Sequence, residues 1–213
     1  MILAAAVCPH PPLLAPEVAP GTADELADLR DACDAAVAAL LASSPGRVVV
    51  LGTGDGVNDR DESAGGTLAG YGVDVRAGGP SIELPLSLTL GAWLLDRAGW
   101  NGPRTYTTGH PATDDDVALL VMADGTTKRS LQAPEFLDER AEGFDASVAK
   151  ALGSGDAEGL AGLDPDLAEE LGATGIPALR LLGETAKGAT VSARLRFDGA
   201  PLGVGYVVAD WVF

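Results

Sequence analysis

Arg47-Val48-Val49-Val50-Leu51 is an unbroken apolar run that ends in a glycine-rich turn, Gly52-Thr53-Gly54-Asp55-Gly56. A run this short, with no polar alternation, reads as a strand buried on both faces of a parallel sheet. Ile2–Val7 and Val117–Ala123 have the same character, and both stop at turn residues, Pro9 and Asp124-Gly125. Helical patterns lie between such runs. Leu26, Leu29, Cys33, Val37 and Leu40 recur at helical spacing over about 22–42, and Thr22 with Glu25 has the form of a capping box. Leu86, Leu90, Trp93 and Leu94 form the stripe of a helix over about 85–98, with Gly99 beyond its end. Pro134 is expected to open a helix running to Leu152, Asp164-Pro165 to start a short one, and 175–186 to form another. A further strand is expected near 104–108. Residues 57–81 read as a long polar loop, with a strand near Gly72–Arg76. The C-terminus reads as a hairpin, Val191–Phe197 and Val204–Phe213, turning at Asp198-Gly199.

Alternating strands and helices closed by a hairpin predict a three-layer α/β/α sandwich. Its central sheet should be mixed and largely parallel. The 213 residues suffice for one domain, 1–213, with no linker or repeat. No apolar run reaches the roughly 18 residues of a membrane span. The N-terminus lacks a basic region and meets Pro9 too early for a signal peptide, so a cytoplasmic protein is expected. The acid-rich, lysine-poor, Ala- and Gly-heavy composition suits a high-GC bacterial chain. A net charge of −17 argues against nucleic acid or an anionic membrane as partner. A small-molecule ligand and self-association stay open. Two cysteines, Cys8 and Cys33, make no disulfide framework.

In open α/β sheets, ligands bind beyond the carboxyl ends of the strands. The polar residues gather there. Cys8 and His10 follow the first run, Asp55 the second, His110 the 104–108 strand, and Asp124 with Thr126, Thr127 and Lys128 the 117–123 run. His10 is clamped in Cys8-Pro9-His10-Pro11-Pro12. Pro11 bars it from the helical region, and the flanking prolines fix their own φ. A stiff turn of this kind suits a metal ligand or a general base, and equally an ordinary loop histidine. Two histidines and a carboxylate would suit a non-haem iron, with His10, His110 and either Asp55 or Asp124 as donors. With two histidines in the chain, a three-histidine zinc site is excluded. The Gly52–Gly56 loop lacks the Lys of a P-loop, and no Gly-x-Ser-x-Gly elbow is present.

The segment Cys8-Pro9-His10-Pro11-Pro12-Leu13-Leu14 resembles the class III extradiol ring-cleavage dioxygenases, in their catalytic chain, and the related Memo-like proteins. Those begin with a strand and a Pro-His loop whose histidine is the first metal ligand. Weaker likenesses are Val48–Gly56, Ser81–Leu86, Val117–Gly125 and the stretch Phe144–Leu163. The resemblance implies an Fe(II) or other divalent-metal enzyme acting on a small phenolic substrate, with His10 and Asp55 as metal ligands, His110 or Asp124 completing the shell, and His110 or Lys128 handling protons. The departures are specific. Asp55 stands where the family has its second histidine ligand, Gly125-Thr126-Thr127-Lys128 replaces the loop of its catalytic histidine, and Thr174-Gly175 falls where its third ligand belongs. A binding protein that keeps the fold without the metal site is the alternative. A third reading has Cys8 as nucleophile and His10 as its base.

Overall fold

The computed structural model describes residues 1–22, 24–54, 56, 59–131 and 133–213. The three apolar runs form strands β1 (Ile2–Cys8), β2 (Arg47–Leu51) and β7 (Val117–Met122). Between β2 and β7 lie β3 (Ala64–Thr67), β4 (Arg76–Gly78), β5 (Ser81–Ile82) and β6 (Arg104–Thr107), and the chain ends in β8 (Ser192–Gly199) and β9 (Tyr206–Val212). The helices are α1 (Ala27–Ala42), α2 (Leu86–Arg97), α3 (Arg140–Ser154), α4 (Ala157–Ala161), α5 (Pro165–Glu170) and α6 (Ile176–Thr185).

Six strands form one sheet in the order β6-β2-β7-β1-β9-β8. The first four are mutually parallel, and β9 and β8 add antiparallel. This is the expected mixed, largely parallel sheet with a terminal hairpin. Strands β1, β2 and β7 are buried almost throughout because helices cover the sheet on both sides. Val48, Val50, Leu120 and Met122 point into one core, shared with Leu29, Cys33 and Val37 of α1 and Leu90 and Leu94 of α2. Val49, Leu51, Leu119 and Val121 point into the other, shared with Val148 and Leu152 of α3, Leu160 of α4 and Leu179 and Leu182 of α6. Alternate residues of an unbroken apolar run thus serve opposite layers. Each fully buried Val or Leu contributes about 1.5–3 kcal/mol. No helix among the described residues is long and apolar enough to cross a membrane.

Four local expectations are corrected. Residues 57–81 include strands: β3, β4 and β5 form a small second sheet in the order β4-β3-β5. Helix α1 starts at Ala27, so Thr22 and Glu25 lie ahead of it, and its N-cap Leu26 makes no side-chain capping bond. Pro134 does not open α3, which begins at Arg140, where Asp138 accepts the Arg140 amide at 2.9 Å and ion-pairs its guanidinium at 2.8 Å. The hairpin turns after Asp198-Gly199, since both still pair with β9, opposite Val207 and Tyr206.

Gly91 lets α2 lie close against the sheet. A β-carbon there would overlap Val50 Cγ1 and sit 3.1 Å from Met122 Cγ. Replacing a helical glycine by alanine ordinarily gains about 1 kcal/mol, and overpacking a core costs about 1–3 kcal/mol. Gly91→Ala is therefore expected to lower the urea midpoint. A raised midpoint would show that the helix can retreat from β2 and β7 at no cost.

Candidate functional site

Within Pro9-His10-Pro11-Pro12, His10 is the one residue with a backbone N–H. The pairing of β1 with β7 runs past the strand ends, with the Ala123 amide donating to Cys8 O at 2.9 Å. At the next step His10 N donates not to a carbonyl but to the carboxylate of Asp124, at 2.6 Å to Oδ1. The chain then tightens into a 3₁₀ turn over Pro12–Leu14, the Leu14 amide donating to Pro11 O at 2.9 Å. These bonds hold the His10 ring beside Asp124, with Nδ1 3.6 Å from Oδ1. That separation is too long for a hydrogen bond, and Nδ1 is buried with no partner. His10 as a whole is 7% exposed.

Asp124 is fixed from the other side by α6. A β-carbon on Gly175 would overlap the Asp124 amide and the Ala123 backbone, so the start of α6 packs directly on the end of β7. Burial pushes the Asp124 carboxyl above its ordinary range, against the pull of His10's charge and backbone N–H. Burial, with Asp124's charge added to it, likewise pushes up the Tyr206 hydroxyl at the start of β9.

His10 lines an open cleft of about 490 Å³, with Thr53, Gly54, Pro85, Leu86, Ser87 and Thr174. The cleft lies at the carboxyl ends of β1 and β2 and at the N-terminus of α2. Ser87 ties these together, its Oγ accepting from Thr53 N at 3.0 Å and donating to Thr53 O at 2.6 Å. Nothing in the sequence pattern singled out Ser87, which becomes a site residue only when α2 packs against the loop after β2.

Asp124 and His10 are the expected site residues that meet. Asp55 lies outside the described residues. His110 follows β6 but is turned away, its side chain 74% exposed and its Nε2 3.7 Å from Glu184 Oε2. Glu184 stands nine residues beyond Gly175 on α6, roughly 13 Å along a helix axis from the Asp124 end. The reason is the connection itself, since residues 108–116 must return from the carboxyl end of β6 to the start of β7. Lys128 donates to Glu170 O at 2.7 Å and pairs with Glu135 at 3.1 Å, and it does not line the cleft. Cys8 is fully buried. Its thiol hydrogen-bonds Cys33, which with burial pushes the Cys33 thiol well above its ordinary range. Cys8 is therefore core, not an exposed nucleophile.

A divalent metal needs more donors than this site brings together. His10 Nδ1 is an orphaned buried nitrogen beside a carboxylate, but no group of three or more His, Cys, Asp or Glu converges among the described residues. Two protein donors fall short of the three that a catalytic non-haem iron or zinc takes, so the described residues do not fit a resident ion.

The buried carboxylate of Asp145 was also missed in sequence. Asp145 of α3 is 1% exposed and accepts Thr126 N at 2.9 Å, Thr126 Oγ1 at 2.8 Å and an Arg129 guanidinium N–H at 3.0 Å. It holds the loop after Asp124 and shapes the site without entering it.

No family model matches the chain, and no curated protein matches it. Among solved structures it is similar to the uncharacterized protein JW3007 from Escherichia coli K12, at 13% identity over 99% of this chain and 100% of that one, with a TM-score of 0.48.

A carboxyl raised by folding stabilises the protein most when protonated. Its contribution is fully present below the ordinary value of 3.8 and is lost as pH rises through the raised value. Asp124→Asn keeps an acceptor for His10 N and removes this titration. Urea midpoints of the two proteins should therefore shift in the variant's favour between pH 4 and pH 7. A shift toward the wild type would mean that the carboxylate is stabilised in the fold.

Proposed function

We propose that the His10 cleft binds a small molecule and that His10 and Asp124 act on it as a proton-transfer pair. On this reading the chain is a divergent relative of the class III extradiol dioxygenases and Memo-like proteins. It keeps their first histidine and gives it a carboxylate partner in place of a metal triad. The Cys8–Leu14 motif supports the kinship. The observation that carries the function is the buried, unpartnered Nδ1 of His10, 3.6 Å from Asp124 Oδ1, in a residue that lines the cleft. A proton on Nδ1 would face the carboxylate and leave Nε2 as the ring's basic nitrogen. A base so oriented can take a proton from a bound hydroxyl group and return it. Ser87 is not its nucleophile, because both of its bonds go to Thr53. Ring cleavage forms no part of this reading, which rests on the two donors that converge among the described residues.

The test uses 4-nitrocatechol, a phenol whose visible band reports its own ionisation, with untagged protein. Binding without added Fe(II) is expected, with an increased phenolate fraction. His10→Gln should abolish that increase, and Asp124→Asn should reduce it. Absence of binding would overturn the proposal. So would stoichiometric, His10-dependent retention of Fe(II) coupled to oxygen uptake.

A further inference from the structure

Helices α5 and α6 are joined by a tight turn that leaves a trough between them. The Gly172 amide donates to Glu169 O at 3.1 Å and the Ala173 amide to Ala168 O at 2.8 Å, which closes α5 with Gly172 at φ +69°. The Ile176 amide then donates to Ala173 O at 3.3 Å as α6 begins. Pro165 and Ala168 of α5, Gly172 and Ala173 of the turn, and Ile176 and Pro177 of α6 line an open trough of about 390 Å³. Ala168, Ala173 and Ile176 are buried, whereas Pro165 and Pro177 are exposed at its edges.

The position of this trough gives it meaning. Thr174 lines both the trough and the His10 cleft, so one exposed residue is their common wall. Thr174 stands between Ala173, in the trough, and Gly175, which packs α6 on the backbone of Ala123 and Asp124. Both spaces are therefore held by the same rigid turn. Their chemistry differs. The cleft offers the polar side chains of His10, Thr53 and Ser87, and the trough offers carbon. A largely apolar space with a few polar groups at one end is the usual form of a small-molecule site. Glu169 is the one charged residue among the described residues lining the trough. It is exposed on α5, beside Glu170, in a chain with a net charge of −17. An anionic tail would be repelled there, and an uncharged one would not.

We propose that the trough takes the uncharged alkyl or aryl part of the small molecule on which His10 acts, so that the ligand is amphipathic and crosses Thr174 from cleft to trough. The inference rests on the proton-transfer reading of His10 and adds the chemical class of its ligand.

The experiment is an amide-resolved NMR titration of the full chain with 4-methylcatechol, 4-butylcatechol and 3-(3,4-dihydroxyphenyl)propionate, which share a head group and differ in the tail. Each methylene that enters the trough should tighten binding about two- to fourfold. 4-Butylcatechol should shift the Gly172, Ala173 and Ile176 amides more than 4-methylcatechol does. The propionate should bind more weakly than 4-butylcatechol, and Glu169→Lys should narrow that gap about threefold. Ala168→Met should fill the trough and remove the gain from chain length. If that variant fails to fold, the amide shifts and Glu169→Lys decide. Equal binding of the methyl and butyl probes, or a gain with chain length that leaves those three amides unshifted, would overturn the assignment. 4-Nitrocatechol in the same samples separates the two proposals. If it ionises against His10 while chain length has no effect, the acid–base cleft stands and the trough assignment alone falls. If chain length tightens binding through those amides while 4-nitrocatechol does not ionise, the trough stands as an apolar subsite and the acid–base reading falls.

Discussion

The hydrogen bond from His10 N to Asp124 Oδ1 is the constraint on which the candidate site depends. Prolines at 9, 11 and 12 strip that turn of every other backbone donor. A buried amide must find an acceptor, and the parallel ladder between β1 and β7 has just ended. A side-chain carboxylate takes the next place in the ladder. One bond therefore joins two strand ends, orients the imidazole and buries an acid. Gly175 then packs the start of α6 on the backbone of Ala123 and Asp124, so that strand end cannot move without shifting a helix.

Much of the sheet was legible because its signal is local. Three apolar runs buried on both faces need no knowledge of their neighbours to be read as strands. The small second sheet was not legible, since its strands are two to four residues long and its central one, β3, is half glycine. Gly65 would drive a β-carbon against the Ala77 and Gly79 carbonyls, and Gly66 would drive one into Thr89. Such strands exist because backbone approaches backbone, a tertiary condition with no propensity to announce it. The start of α3 and the hairpin turn failed for a related reason. Asp138 and its bonds to Arg140 outweighed the start signal of Pro134, and β8 kept pairing through Gly199 until Leu202 and Gly203 turned at positive φ.

At the site, the rule that ligands gather at strand ends named His10, Asp55, His110 and Asp124 together and could not say which strand ends are neighbours. In sheet order β7 lies beside β1, whereas β6 is the far edge strand. Asp124 therefore meets His10, and His110 is carried off by the return of its loop. Lys128 was absorbed by the carbonyl end of α5 and by Glu135. Ser87 and Thr174 come from helix starts, and their relevance depends on two helices converging on one turn.

The energetics of the pair point from structure toward use. A buried donor or acceptor without a partner costs about 1–3 kcal/mol, and a carboxyl raised by burial adds a penalty when it ionises. Folding alone gains nothing from leaving His10 Nδ1 orphaned next to Asp124, since a leucine at position 10 would avoid the cost. The surrounding elements nevertheless hold both groups rigidly: the prolines on one side, Gly175 and the Ser87–Thr53 lock on the others. Buried polar atoms without a hydrogen-bond partner mark places where something else can complete the set, and His10 Nδ1 is one of several here, Arg47 Nε and Thr127 Oγ1 among them. Here the orphaned Nδ1 faces Asp124, in a residue that also lines the cleft, so the two groups are held together beside the space that a small molecule would enter.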